Sequence, residues 1–333
     1  MTTNVPPEYT KAELRYRSTS NLDEKLEALK EMMVLVPKHK GTERLRVDLK
    51  KRLSKLQEEI QKKPKQTKVS TQAWEHIERA GAGQVVLVGL PNCGKSSLLA
   101  AVTHAKPEIA DFPFSTFTPT VGMMTFEDVQ IQLIDLPPFS EFAEPWVYNL
   151  VRQADIVAML IDLSQPAPED SVMEGLDYLE KANIKVVGPK NFDKSFPGPG
   201  VMRKGQIIAT KADAPAPEPT EALKTLQEMY GEEYPIVAVS THELEKLNGM
   251  RRALFEILDV VRVYSKKPGQ PASKEAPYIL PRGSTMLDVA KAIHHDLAES
   301  LKFARIWGSA EFQGQRVERD HVVQDGDIIE VHS

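Results

Sequence analysis

The sequence predicts an α/β fold, a mainly parallel sheet wrapped by helices, with a helical hairpin before it and a small β-rich module after it. Three observations predict it. Runs rich in Val and Ile alternate with helical stretches, two amphipathic stripes precede them, and a linker rich in Pro, Lys and Ser separates the last segment. With 333 residues, the chain is long enough for two or three modules, because single cores rarely exceed about 250 residues.

Residues 1–80 are predicted to form an N-terminal helical region with an antiparallel hairpin at about 21–62. Apolar side chains recur there at spacings of three and four, at Leu22, Leu26, Leu29, Met33 and Val36 and again at Leu45, Leu49, Leu53, Leu56 and Ile60. VPKHKGT between the stripes supplies a proline, a glycine and Thr42, which is suited to cap the second helix. We expect the two stripes to face each other.

The second helix and its flanks are strongly basic. Residues 38–68 contain twelve Lys or Arg against four Asp or Glu, although the net charge of the chain is -5. A basic arm on an acidic body is typical of contact with nucleic-acid phosphates, and equally of a solvated helix face. The candidates for phosphate contacts are Arg44, Arg46, Lys50, Lys51, Arg52 and Lys55.

Residues 81–264 are predicted to contain the sheet. Its strands are VVLVGL, VQIQLIDL, DIVAMLIDL, QIIATKAD and PIVAVS, which lack polar alternation, as expected for strands covered on both faces. Helical stretches separate most of these strands, as in a parallel sheet. Residues 265–276, SKKPGQPASKEA, have the composition of a linker, and residues 277–333 form the last module.

A phosphate-binding motif follows the first strand and opens a helix. GLPNCGKSS satisfies Gly-x4-Gly-Lys-Ser, in which the glycines let the backbone wrap a phosphate chain closely. The lysine would place a cation on the outer phosphates, and the Ser96 hydroxyl can ligate Mg²⁺. The expected nucleotide contacts of this loop are Gly89, Pro91, Asn92, Cys93, Gly94, Lys95, Ser96 and Ser97.

The strand IQLIDL ends in Asp135, which we expect beside the same metal ion. A nucleotide switch normally has glycine three residues later, yet position 138 is Pro, which has no N–H for the terminal phosphate. Losing one charge-assisted hydrogen bond would cost about 1.5 to 3 kcal/mol. Either the second switch is poorly coupled to the nucleotide, or a shifted turn lets a neighbouring N–H substitute.

The strand IIATKAD predicts a guanine reader. The Asp213 carboxylate would accept hydrogen bonds from the ring N1 and the exocyclic amine of guanine, whereas adenine has no such donor pair. Lys211 would lie along the base, and Thr210 stands where asparagine is usual. In VAVSTH, Ser240 and Thr241 are placed to present a backbone N–H to the guanine carbonyl. The expected ligands are therefore GTP and GDP.

Three longer stretches resemble Obg-related GTPases of the developmentally regulated branch. KPEIADFPFSTFTPTVG resembles their first switch, PKHKGTERLRVDLKKRLSKL their basic hairpin, and PRGSTMLDVAKAIHHDL with DGDIIEVHS their TGS module, a small β-grasp fold. The resemblance implies a P-loop GTPase domain in which Thr116 closes over Mg²⁺ and the terminal phosphate. The interval from Asp135 to Thr210 is too short for the small domain inserted in that branch, so the chain resembles a compact prokaryotic relative.

The resemblance also implies slow GTP hydrolysis and docking of the hairpin and the TGS module on the ribosome or other structured RNA, with a protein cofactor as a further option. Phe139 stands where a water-orienting glutamine could be, so hydrolysis needs another helper. Asn92 offers one, because GTPases with Pro-Asn at this place often recruit K⁺. Lys95, Asn92 and Thr116 are the expected catalytic residues. Two alternatives stay open: a scaffold that binds GTP or GDP with little hydrolysis, and a related ATPase, against which Asp213 argues.

Composition limits the cellular setting. Cys93 is the single cysteine, so no internal disulfide can form and a reducing compartment is expected. No apolar run approaches the ~20 residues of a membrane helix, and the first residues lack the apolar core of a signal peptide. We therefore expect a cytoplasmic protein without a membrane segment.

Overall fold

The computed structural model of the protein has three parts, an N-terminal helical region, a central sheet with helices on both faces and a C-terminal sheet. It describes residues 7–19, 22–36, 42–62, 77–103, 119–140, 143–215, 219–267, 269–270 and 276–332. Thr116 and the rest of the predicted first switch up to residue 118 lie outside these ranges. No helix of the described residues is long and apolar enough to cross a membrane.

The N-terminal region contains helices α1 (Pro7–Ser18), α2 (Leu22–Leu35) and α3 (Glu43–Lys62). The stripes of α2 and α3 pack against each other through Leu29 and Leu49, which are both buried. Sequence analysis did not predict α1, because it is mostly polar and buries only a few side chains, among them Tyr9.

Seven strands of the described residues form the central sheet. They are β1 (Gln84–Val88), β2 (Thr120–Phe126), β3 (Val129–Asp135), β4 (Ile156–Asp162), β5 (Ile184–Val187), β6 (Val201–Thr210) and β7 (Ile236–Ala238). Their order is β2-β3-β1-β4-β6-β5, with β7 also paired to β6. All pairs are parallel except β2 with β3. The predicted α/β class is confirmed, and β2 and β5 are additional strands.

Five helices cover the two faces of this sheet. They are α4 (Lys95–Val102), α5 (Pro145–Gln153), α6 (Pro168–Lys181), α7 (Pro219–Tyr230) and α8 (Leu244–Leu258). One apolar core holds α5, α6 and α7, and a second core on the opposite face holds α4 and α8. With β1 and β4 buried on both sides, the loops at their carboxyl ends meet at one edge of the sheet, the usual place for a ligand in such folds.

The C-terminal module wraps a second sheet around short helices. Its elements are β8 (Val260–Ser265), β9 (Tyr278–Pro281), α9 (Met286–Ile293), α10 (His295–Ser300), β10 (Phe303–Trp307), β11 (Gln315–Val317) and β12 (Asp327–His332). The strand order is β11-β10-β12-β8-β9. A capping box at Thr285 and Asp288 starts α9.

The boundary predicted between residues 264 and 265 is wrong, because β8 belongs to the C-terminal sheet. It pairs in parallel with β12 and antiparallel with β9. Sequence analysis assigned these residues to the central module since they follow α8 directly, whereas their partners lie far along the chain. The module therefore begins with β8, at Val260.

Candidate nucleotide-binding site

The turn between β1 and α4 has the backbone of a phosphate-binding loop. Gly89 has a φ of +148°, and a Cβ there would lie 2.6 Å from the carbonyl oxygen of Leu160. Asn92 and Gly94 also have positive φ angles, of 63° and 92°. These conformations turn the chain back on itself directly before α4, so that the first N–H groups of the helix face the enclosed space.

The ammonium group of Lys95 is folded over this loop. Lys95 is only 7% exposed, and its Nζ donates to the carbonyl oxygens of Gly89 and Leu90 at 3.4 and 3.3 Å. These long hydrogen bonds can be exchanged for phosphate oxygens. The neighbouring Cys93 thiol is buried, which raises its pKa, although the nearby Lys95 charge opposes the shift.

Asp135 and Ser96 place two oxygen ligands beside the loop. The pairing of β1 with β3 sets Leu87 opposite Asp135, and the Ser96 hydroxyl donates to Asp135 Oδ2 at 2.5 Å. Asp135 Oδ1 is buried and has no hydrogen-bond partner within the described chain. Burial raises the pKa of the Asp135 carboxyl, opposed by the Ser96 hydrogen bond and the Lys95 charge.

This pair fits Mg²⁺ in its chemistry. Mg²⁺ prefers oxygen ligands and commonly takes one or two from the protein, with phosphates and water completing its shell. The unpartnered Asp135 oxygen gives a cation a reason to bind. Ser96 and Asp135 supply one hydroxyl and one carboxylate, which is the small number of protein ligands that Mg²⁺ takes when phosphates complete its shell. No group of three or more His, Cys, Asp or Glu able to hold a metal exists in the described ranges.

The second switch begins with its backbone already engaged. The N–H of Leu136 donates to Leu87 at 3.3 Å and that of Phe139 to Gly89 at 3.3 Å, while Pro137 and Pro138 have none. Phe139 is 2% exposed, and its ring stacks on Tyr148 with centroids 5.8 Å apart. The neighbouring N–H that could have replaced the missing donor is thus bonded to the phosphate loop instead.

Thr210 supports the site from behind. Its hydroxyl lies 2.7 Å from the carbonyl oxygen of Cys93 and 3.1 Å from that of Ile161, and the residue is buried. Thr210 therefore ties the phosphate loop to β4 and β6, a contact that sequence analysis did not assign to it.

Lys211 is held by an acidic partner that sequence analysis missed, Asp162. Lys211 Nζ donates to Asp162 Oδ2 at 2.6 Å, and Ser164 donates to Oδ1 through its N–H and its hydroxyl. Burial alone would raise the pKa of Asp162, but the hydrogen bonds from Lys211 and Ser164 hold it below its usual value. The available signal was that β4 is a buried strand ending in Asp, like β3.

The remaining base-reading candidates lie on two adjacent loops. The N–H of Ala212 donates to the Val239 carbonyl at 3.1 Å. This hydrogen bond joins the loop that carries Asp213 to the loop that carries Ser240. Asp213 and Thr241 are exposed, whereas Ser240 is buried and its hydroxyl accepts a hydrogen bond from the His242 N–H at 3.1 Å. Asp213 is therefore open to a base arriving from solvent.

The six basic candidates on α3 do not share one environment. Five are exposed, namely Arg44, Lys50, Lys51, Arg52 and Lys55. Arg52 is paired with Asp48 at 2.6 Å. Arg46 is half-buried and lines a cavity beside the phosphate loop. The structure thus separates Arg46 from the outward-facing group.

Comparison with known proteins assigns the modules. Residues 84–189 match the family model described as "50S ribosome-binding GTPase", and residues 261–333 match that of the TGS domain. An uncharacterized GTP-binding protein of Methanocaldococcus jannaschii is 25% identical over 366 aligned positions, covering 93% of this chain and 92% of the relative. Developmentally-regulated GTP-binding protein 2 of Homo sapiens is 24% identical, covering 92% of this chain and 98% of the relative. The chain is a homologue of the developmentally regulated GTP-binding proteins.

The predicted resemblance to the developmentally regulated GTP-binding proteins is thereby confirmed, as are the P-loop GTPase and TGS modules. The alignment with the archaeal relative spans 366 positions, more than the 333 residues of the chain, so that relative has residues without a counterpart here. Among solved structures, the Schizosaccharomyces pombe YchF GTPase has a TM-score of 0.49 and 11% identity, covering 77% of this chain and 99% of that chain.

Proposed function

We propose that the protein binds GTP and GDP and hydrolyses GTP slowly with Mg²⁺. The observation that carries this proposal is the convergence of Lys95, Ser96 and the unpartnered Asp135 oxygen at the mouth of the phosphate loop. Lys95 and the first N–H groups of α4 would bind the outer phosphates. Asp213 would select guanine.

Ser96 and Asp135 would hold Mg²⁺, with Thr116 as the expected third protein ligand. The ion would neutralise charge on the terminal phosphates. The chain's own contribution is to position these ligands, because the Ser96 hydroxyl already holds the Asp135 carboxylate at 2.5 Å.

Slow turnover follows from the second switch. Phe139 is apolar and buried, so it cannot orient an attacking water, and the prolines before it donate no hydrogen bond to phosphate. Asn92 is exposed in the phosphate loop, where its amide oxygen could help hold K⁺. We propose K⁺ stimulation on that basis.

A second candidate function is a nucleotide-gated scaffold that binds GTP or GDP and barely hydrolyses it. The engaged N–H groups of Leu136 and Phe139 favour it, because they leave the second switch with little to gain from the terminal phosphate. Single-turnover hydrolysis in K⁺ and in Na⁺ separates the two candidates. A rate that exceeds the uncatalysed rate and rises in K⁺ supports the GTPase, whereas no catalysed hydrolysis in either salt supports the scaffold.

Docking on the ribosome or other structured RNA is proposed for the exposed basic face of α3. The support is the positive surface of this helix together with the description of the matching GTPase family. Retention on ribosomes should fall steeply with salt, because bound cations leave the RNA when Lys and Arg contact phosphates. Retention that does not change when Lys51 and Lys55 are replaced by Glu would contradict this role.

Calorimetry with GTP, GDP, ATP and xanthosine triphosphate in Mg²⁺ tests the core of the proposal. Binding of both guanine nucleotides at least about 100-fold tighter than ATP is expected, since only guanine offers Asp213 two donors. No heat with either GTP or GDP would overturn the proposed function, and equal affinity for ATP would overturn the guanine assignment.

A further inference from the structure

A cavity of about 560 Å³ separates the N-terminal helices from the phosphate loop. Met33 and Arg46 line it from the helical side, and Pro91, Cys93 and Phe139 line it from the central module. It thus borders both the loop expected to hold the terminal phosphates and the beginning of the second switch. A side chain entering this space from α3 would approach the phosphates from outside the loop.

Arg46 is the cationic side chain on that wall. Its backbone N–H bonds to Thr42 within the helix, but no hydrogen bond or ion pair of its guanidinium occurs in the described part of the chain. Two carboxylates also border the cavity, Asp162 and Glu174. Asp162 is already bonded to Lys211 and Ser164, and Glu174 accepts from Tyr178 at 3.1 Å. Arg46 therefore remains available to an anionic ligand.

An ion pair anchors the helical region to the central module. Lys30 of α2 donates to Glu144 Oε1 at 2.6 Å, and the indole N–H of Trp146 donates to the other carboxylate oxygen at 2.9 Å. Burial tends to raise the pKa of Glu144, but the hydrogen bond and charge of Lys30 hold it below its usual value. Glu144 lies directly before α5, close after the second switch. The ion pair thus ties the helix pair that carries Arg46 to the central module.

We propose that Arg46 is a catalytic residue that contacts the terminal phosphate of GTP through this cavity. The proposal rests on the GTPase function proposed above. Water attacks the γ-phosphorus, the bond from that phosphorus to the bridging oxygen breaks, and GDP and inorganic phosphate leave, with the water proton passing to phosphate and then to solvent. The guanidinium keeps its protons and stabilises the charge on the phosphate oxygens, the role of an arginine finger supplied within the same chain.

The test compares full-length wild type, Arg46→Ala and a control, Arg17→Ala, in single-turnover GTP hydrolysis with K⁺ and with Na⁺. Arg17 is an exposed arginine of the same helical region, paired with Glu13. Arg46→Ala should lower the rate at least about 100-fold in both salts, given that arginine fingers contribute about 10³ to 10⁵. GTP affinity should change less than about threefold. Arg17→Ala should match wild type.

Two further readouts separate a catalytic from a structural role. Free guanidinium should restore part of the rate of Arg46→Ala, and wild type but not the variant should bind GDP more tightly when aluminium fluoride is added. A variant that hydrolyses GTP at the wild-type rate in K⁺ would overturn the proposal. A slow variant without rescue, with a lower melting temperature, would also overturn it.

If wild type hydrolyses no GTP but binds it, the proposed hydrolysis fails rather than the placement of Arg46. The aluminium fluoride comparison still decides the placement in that case. Equal enhancement of GDP binding in wild type and Arg46→Ala would show that the guanidinium does not reach the terminal phosphate position, and the proposal would then be abandoned.

Discussion

At the phosphate end of the candidate site both charged side chains are buried: Lys95 donates to carbonyl oxygens of the loop after β1, and Asp135 accepts from Ser96. At the base end, Asp213 is exposed and the Lys211 side chain is 42% exposed. The phosphate end is assembled only when β1 and β3 pair in the register that sets Leu87 opposite Asp135. The base end is a short turn after β6, held by the hydrogen bond from Ala212 to Val239. The difference teaches that binding energy is expected mainly from the first region, and discrimination between purines from the second.

The difference also has a cost for folding. A carboxylate that is buried with one unpartnered oxygen destabilises the ligand-free protein, because its hydration is lost without full replacement. An exposed carboxylate such as Asp213 keeps its hydration. The phosphate end therefore stores instability that a bound cation and nucleotide would relieve.

Removing the Lys95 ammonium group should have the largest effect on GTP affinity. Lys95→Ala is expected to weaken GTP binding about 100- to 1,000-fold, because charge-assisted hydrogen bonds to phosphate contribute about 1.5 to 3 kcal/mol each and tenfold is about 1.4 kcal/mol. Calorimetry in Mg²⁺ measures it, and circular dichroism checks that the variant is folded. An affinity within threefold of wild type would contradict the expectation that most of the binding energy comes from the phosphate end.

Replacing Asp213 should change the preference among nucleotides more than the overall affinity for them. Asp213→Asn is expected to lower the preference for GTP over ATP about 10- to 100-fold. The amide would donate to the carbonyl that xanthine carries in place of the guanine amine, so xanthosine triphosphate should gain affinity. Competition among the three nucleotides measures both changes. An unaltered GTP preference would show that another residue reads the base.

Thr210 links the phosphate loop to β6, and its hydroxyl can be removed with little change in side-chain volume. Thr210→Val removes the hydroxyl that contacts the Cys93 and Ile161 carbonyl oxygens. The free energy of unfolding should fall by about 1 to 3 kcal/mol, because a buried carbonyl is left without a partner. Urea unfolding measures this, with Thr225→Val as the matched control, because the Thr225 hydroxyl donates to the Glu221 carbonyl in a solvent-exposed hydrogen bond of α7. Equal losses in the two variants would contradict the role of Thr210.

The smallest effect, and one of opposite sign, is expected at Asp135. Its pKa is raised by burial, so the folded protein binds this proton more tightly than the unfolded chain. Stability therefore declines as pH rises through the interval between the unfolded and folded pKa values, and the ionised group remains a cost at neutral pH.

Asp135→Asn should accordingly raise the free energy of unfolding of the ligand-free protein at pH 7 by up to about 1 kcal/mol. The same variant should lose the dependence of nucleotide binding on Mg²⁺. Urea unfolding without nucleotide measures the first effect and calorimetry with and without Mg²⁺ the second. A clear loss of stability would show that the charge of Asp135 supports the fold through Lys95 instead.

Local motifs explain which parts of the site could be predicted. Gly89 to Ser97 form a continuous stretch with the spacing of a phosphate-binding motif, so the local sequence alone was enough to predict a phosphate loop here. Asp162 was missed because its importance comes from Lys211, which is 49 positions away in the chain. Arg46 was grouped with the outward-facing cations because helical periodicity alone does not say which neighbour covers a helix.

By itself, the sequence determined the order of the modules, the buried strands of the central sheet and the residue types at the phosphate loop and the base-reading turn. Each of these depends on short-range backbone geometry or on a local apolar pattern. Only the tertiary structure decided that β8 joins the C-terminal sheet, that the Phe139 N–H is bonded to the phosphate loop, and that Arg46 faces a cavity. These outcomes depend on contacts between segments that are distant in sequence. A local sequence pattern does not show which distant segment a residue will contact.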